Sequence, residues 1–172
     1  MLRRLCGWGR PCGSLWWLRR LGLKLFSNNA ARADALAQEA RDAAERTRDT
    51  WHLGLLASVR AAAARDLGRP EDEQRAATRN ALRRASAQAD PQILLEVVEH
   101  VAGCLVDRGD SDAALRLLRA ARRIREEQGV GLSVPRHARR DADEARASST
   151  APDLAVRVDL PWLTAAATEA LG

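Results

Sequence analysis

The side chains able to do chemistry are thinly spread. Histidine occurs at His52, His100 and His137, each in a different stretch of chain. A zinc hydrolase would place two histidines one helical turn apart with a glutamate between them, as H-E-x-x-H. That motif is absent, and the chain is read as having no paired-histidine or cysteine–histidine spacing. Glu99 precedes His100, but neighbours on a helix diverge by about 100° and do not face each other. The cysteines are Cys6, Cys12 and Cys104. An odd number without C-x-x-C spacing indicates neither a disulfide framework nor a zinc site. Cys104 falls on an apolar helical face and reads as a small buried apolar residue. Such usage fits a reducing cytoplasm. There is no G-x-S-x-G elbow and no G-x-x-x-x-G-K-[ST] phosphate loop. The carboxylate runs Glu71-Asp72-Glu73 and Asp141, Asp143, Glu144 read as first-turn charges and solvated helix faces. No catalytic, cofactor-binding or metal-ligating set is expected, so the chain reads as a non-enzyme without a cofactor.

Basic residues are the remaining candidate chemistry. Lys24 is the only lysine among 28 basic residues. Arg and Ala enrichment of this kind follows from GC-rich coding, which weakens it as a sign of phosphate binding. The placement is more informative. Residues 1–33 carry seven basic residues and no acid, whereas the rest carries 21 basic against 23 acidic residues. The net charge of +5 therefore belongs to the N-terminal segment. In SLWWLRRLGLKLF, residues 14–26, a helix would gather Arg19, Arg20 and Lys24 within about 140° of arc. Trp17, Leu18, Leu21 and Leu25 fall opposite, while Trp16 and Leu23 break the pattern. This candidate basic surface has two readings. It could lie on an anionic membrane surface or meet nucleic acid. Alternatively, its apolar face packs on residues 30–47 as the first helix of a hairpin. The stretch is too short to span a bilayer and lacks a signal-peptide cleavage pattern. The acid-free, Arg-rich start also has the composition of a mitochondrial transit segment. Two further rows, Arg116, Arg119, Arg123 and Arg75, Arg79, Arg83, could meet phosphate or acidic peptide, or face solvent balanced by Glu126 and Glu127.

The elements that must position these residues are helical. Hydrophobic residues make up 46% of the 172, yet aromatics only 3%, which predicts thin Ala/Leu layers in one domain. Turn signals divide the chain. Asn28-Asn29 can end one helix and cap another, Gly68-Arg69-Pro70 is a stop and restart, and Asp90-Pro91 repeats the cap-then-Pro logic. Gly109-Asp110-Ser111 and Gly129 with Gly131 close later helices. Between them, Ala33, Leu36, Ala37, Ala40 and Ala44 recur at helical steps, as do Leu53, Leu56, Ala63 and Leu67. The strongest face is Ile93, Leu94, Val97, Val98, Val101, Ala102 and Leu105, followed by Ala114, Leu117, Leu118 and Ala121. Residues 71–88 predict a weaker helix, with Ala76, Ala77, Ala81 and Leu82. Residues 154–160, LAVRVDL, are the only β-like stretch, and residues 147–161 read as doubtful helix.

Asn28, Gly68 and Gly109 lie 40 and 41 residues apart. A recurring helix–turn–helix of that period predicts an all-α, tetratricopeptide-like α-solenoid of antiparallel helical hairpins with a less regular C-terminal segment. An irregular helical bundle is the competing architecture. The expected organisation is a basic N-terminal segment with an amphipathic helix (1–27), helical repeats (28–130), and a linker with C-terminal helices (131–172).

In the last full unit, Gly109, Asp110, Ala114, Leu117, Leu118, Ala120, Ala121, Arg125, Glu126 and Gly129 are followed by Pro135 in a link. With LTAAATEALG at 163–172, this resembles the C-terminal tetratricopeptide-like helical region of actinobacterial LuxR-type and antibiotic-regulatory ATPase transcription regulators. ASSTAPD at 147–153 departs from the family's continuing helix. The resemblance implies a bacterial, cytoplasmic, non-catalytic region for protein interaction or ligand sensing in transcription regulation. A protein or peptide partner is expected, with a small signal molecule as second candidate and no direct DNA binding. The competing readings are a nucleic-acid- or membrane-surface-associating protein acting through Arg19, Arg20 and Lys24, or a truncated regulator fragment.

Overall fold

The computed structural model describes residues 29–88, 90–131, 134–148 and 159–171. Among these there are seven helices and no strand. They are α1 (Ala30–Thr47), α2 (Thr50–Asp66), α3 (Glu71–Gln88), α4 (Pro91–Arg108), α5 (Ser111–Gln128), α6 (Val134–Ser148) and α7 (Leu160–Ala170). The all-α expectation therefore holds.

Local chemistry sets most helix ends. The Asn29 side chain accepts from the Arg32 N–H at 3.0 Å, and Asp90 accepts from Gln92 and Ile93 with Pro91 in the first turn. Asp110 caps α5, and Gly109 and Gly129 close α4 and α5 at φ 83° and 65°, where a Cβ would be strained. One boundary has no such mark. α1 ends at Arg48, which adopts φ 53° without being glycine, and Asp49 then caps α2.

The helices recur in two interleaved sets. α1, α3 and α5 begin at Ala30, Glu71 and Ser111, while α2 and α4 begin 41 residues apart at Thr50 and Pro91. Short links and extensive contact make successive helices hairpin partners. α2 packs on α4 and α4 on α6, forming one row; the helices of the other row, α1, α3 and α5, do not pack closely on one another. Between α3 and α5 lies α7, which packs on both and on α4 beneath.

Two apolar clusters result. The larger runs from α2 to α7 and includes the whole predicted α4 face, together with Ala147, Leu163, Ala167 and Leu171. The smaller joins Ala33, Leu36, Ala37, Ala40 and Ala44 of α1 to Leu56 and Val59 of α2.

Residues 71–88 form the expected helix, with Thr78, Ala81, Leu82 and Ala85 buried where α2 and α4 pack against α3. Two expectations need correction. Leu67 is 40% exposed instead of in the core, since α2 has already ended at Asp66. Residues 147–148 and 160–161 are helical; of the β-like stretch, Leu160 opens α7 and residues 154–158 lie outside the described residues.

α6 is docked differently from the others. Among its described side chains only Asp143 and Ala147 are buried. Guanidinium–carboxylate pairs also attach its described residues: Arg139 to Asp66 of α2, Arg146 to Asp107 of α4, and Arg122 of α5 to Asp141 and Glu144.

Candidate functional site

The predicted basic surface, Arg19, Arg20 and Lys24, lies outside the described residues. Of the two arginine rows on described helices, Arg75, Arg79, Arg83 and Arg123 are drawn into internal contacts, while Arg116 is exposed. Arg75 pairs with Glu71 at 2.6 Å, Arg83 donates to Asn80 at 3.0 Å, and Arg123 pairs with Glu127 at 3.1 Å. Arg79 donates to the Leu171 carbonyl at 2.5 Å, at the C-terminal end of α7. Neither row presents a uniform guanidinium surface.

The two histidines with described side chains, His52 and His100, do not converge. His52 hydrogen-bonds the Asp49 carboxylate and meets Trp51 edge-on at 5.0 Å, bracing the start of α2. The His137 side chain lies outside the described residues. Glu99 and His100 diverge as predicted: Glu99 accepts two bonds from the buried Arg125, at 2.8 and 3.1 Å, while His100 reaches Thr78 on α3.

The expectation of no cysteine–histidine spacing was wrong. His100 and Cys104 are one helical turn apart, a recognisable i, i+4 spacing, and the Cys104 sulfur lies 3.6 Å from His100 Nε2. The geometry does not make a nucleophile. The Thr78 hydroxyl donates to the Gln74 carbonyl at 2.7 Å, so its oxygen must accept from His100 Nε2 at 3.2 Å. That nitrogen carries a proton and offers the thiol no lone pair. Burial, the dominant influence, pushes the Cys104 thiol above its ordinary pKa. Cys104 is only half-buried, because it borders the charged residues described next.

Arg65, Asp107 and Asp143 form a cluster that sequence reading missed. Arg65 leaves α2 with 8% of its side chain exposed and donates to Asp107 of α4 at 2.5 and 3.1 Å. It also donates twice to Asp143 of α6 at 2.9 Å. Gly103 of α4 makes the room: a Cβ there would lie 2.0 Å from Arg65 Nη1 and 2.6 Å from Asp143 Oδ2. Burial lowers the Arg65 pKa, but bonds from Asp143 and Asp107 outweigh it and raise the net value. Burial likewise raises Asp107, and Arg65 and Arg146 bring it below its ordinary value. Each atom of this cluster is engaged within the protein, so it fastens three helices. No group of three or more His, Cys, Asp or Glu suited to a metal ion occurs among the described residues.

One open feature, of about 430 Å³, lies at the α4–α5 turn beside Val106, Gly109, Asp110, Ser111, Asp112 and Arg146; another is a groove of about 340 Å³ between α1 and α3, floored by α2. Leu53, Leu56, Ala57 and Arg60 make the floor; Arg41 stands on one wall, and Glu73, Ala76, Ala77, Asn80 and Arg84 on the other. The floor has a counterpart. Its four residues stand 41 positions before Leu94, Val97, Val98 and Val101, at the same register in α4. Those four are buried in the cluster containing Leu163, Ala167 and Leu171 of α7. The groove above α2 is thus the repeat of one that α7 fills above α4.

No family model matches the chain, nor does any curated protein or solved structure. The groove is left to carry the functional reading. Leu53, Leu56, Ala76 and Ala77 were all legible in the sequence as apolar positions. Their shared cavity was not, because it depends on the spacing between α1 and α3.

Proposed function

We propose that this chain is a non-catalytic, tetratricopeptide-like interaction module that accepts a helix of a protein or peptide in the groove between α1 and α3. The observation that carries the reading is the equivalence between this groove and the one occupied by α7. A packed helix already solves the same surface problem once within the chain: small alanines let a backbone approach, and leucine or valine floors it. The resemblance to the helical region of LuxR-type regulators supports the same reading, because its quoted residues fall on the cap and buried face of α5. A cytoplasmic role in bacterial transcription regulation is the setting that the resemblance adds. Among the described residues no helix is long and apolar enough to cross a membrane.

The test uses a peptide of the α7 sequence, residues 159–172, titrated into the isotope-labelled full chain. The expected result is saturable shifts of the Leu53, Ala57, Ala76 and Ala77 resonances. Shifts confined to α4 and α5, or none, would remove the proposal.

A further inference from the structure

The groove's rim carries information about what enters it. Arg41, Arg60 and Arg84 line it with Glu73, while Glu45 and Asp34, which pair with Arg41 and Arg60, stand outside its lining. The contacts these arginines make run through Nε: Arg41 to Glu45 at 2.7 Å, Arg60 to Asp34 at 3.1 Å, and Arg84 to Asn80 at 3.4 Å. Their terminal amino groups are uncommitted among the described residues. Arg60 stands where Val101 stands in the filled groove, so one apolar floor position has been exchanged for a guanidinium. In the filled groove, guanidiniums act on the negative end of the bound helix: Arg79 and Arg108 donate to the Leu171 and Ala170 carbonyls at 2.5 and 3.1 Å.

We infer that the occupant of the α1/α3 groove is an acidic amphipathic helix of another protein, with a Leu/Ala face on the floor and carboxylates along its flanks held by Arg41, Arg60 and Arg84. This rests on the groove being a helix site, as proposed above. The chain's own N-terminal segment is the wrong sign. Residues 1–28 carry Arg3, Arg4, Arg10, Arg19, Arg20 and Lys24 and no acid. Placing them beside three arginines would add repulsion where desolvation makes it most costly. Guanidiniums with free forks select carboxylates because two parallel bonds match the planar acid.

Three peptides of the α7 sequence distinguish the possibilities, each titrated into the full chain by fluorescence anisotropy. One is unchanged, one carries Glu at the positions of Ala165 and Thr168, and one carries Lys there. Both positions are exposed in the α7 that the chain already holds. The acidic peptide is expected to bind about fivefold tighter than the unchanged one, the Lys peptide correspondingly weaker. That preference should vanish with Arg60→Gln/Arg84→Gln, and the gap should close as salt rises. Equal binding of all three would leave the helix groove standing but overturn the acidic partner. No binding by any would overturn both. A photo-crosslinking side chain in place of Glu73 covers the other occupants: crosslinks within the chain to residues 1–28, or between two copies, would overturn assignment to another protein. Crosslinks formed only with the acidic peptide would support it.

Discussion

Arg65 and Asp143, 78 positions apart in the chain, are joined by two hydrogen bonds of 2.9 Å, with only 8% and 7% of their side chains exposed. Arg65→Met removes the main partner of both carboxylates and leaves Asp143 buried with the exposed Arg146 at 3.5 Å, so a loss of about 3–5 kcal/mol in unfolding free energy is expected. Asp143→Leu is expected to cost less, because Asp107 still holds Arg65 through two hydrogen bonds. The double variant Arg65→Met/Asp143→Leu, set against the two matching single variants, should lose less than their sum, because neither member of the pair then remains to be left unpaired. Urea unfolding of the four proteins gives the coupling; fully additive losses would show that the two side chains do not act as a pair.

Gly103→Ala tests the space beside that pair. Alanine normally favours a helix interior by about 1 kcal/mol over glycine. Here its Cβ would collide with a guanidinium fixed by four hydrogen bonds, so a net destabilisation is expected. Gly54→Ala is the contrast. Its nearest neighbours are the end atoms of Gln88, a flexible and partly exposed side chain that can turn aside. Thermal melts should move in opposite directions, down for position 103 and level or up for position 54.

Acid should loosen the same region. The folded pKa of Asp107 lies below its unfolded value, so its stabilising contribution is complete above about pH 4. It is lost as pH falls through the lower folded value. The stability of the native chain should thus fall below pH 4 more steeply than that of Asp107→Asn. Parallel denaturation curves from pH 2 to 6 would settle it; identical slopes would remove Asp107 from the linkage.

Cys104 should react slowly. Its thiol is raised by burial and faces a protonated His100 nitrogen instead of a base. Iodoacetamide at pH 7.5, followed by peptide mass mapping, is expected to leave Cys104 largely unmodified until denaturant is added. Rapid native alkylation would mean that His100 presents its other tautomer.

The parts of this fold written in short-range patterns were legible. Asp90-Pro91 and Gly109-Asp110 announce helix boundaries because caps depend on residues within one turn. Most of the α4 face was legible because Ile93, Leu94, Val97, Val98, Val101, Ala102 and Leu105 repeat at helical steps and are buried; Leu95 and Val106, also buried, lie off that stripe and are covered by further neighbours. The Arg48–Asp49 break was not, since a left-handed arginine carries no compositional mark. Asp143 read as part of a solvated helix face and Arg65 carried no mark at all, because the burial of both is created by α2, α4 and α6 meeting across 78 positions. The groove belongs to the same class: sequence supplied its alanines and leucines, but not the gap between the helices that bear them.

The polar docking of α6 makes its attachment a matter of ionic strength. Apolar contacts hold or tighten as salt rises, whereas exposed ion pairs weaken once their separation competes with a screening length of about 8 Å at physiological salt. Arg139–Asp66 and Arg146–Asp107 are both exposed enough to be screened; Arg65–Asp143 is not. In dilute buffer α6 is held at several points along its length. In concentrated salt these exposed pairs loosen while Arg65–Asp143 and the buried Ala147 hold, so the amide hydrogens of α6 should exchange ahead of those of α4 and α5.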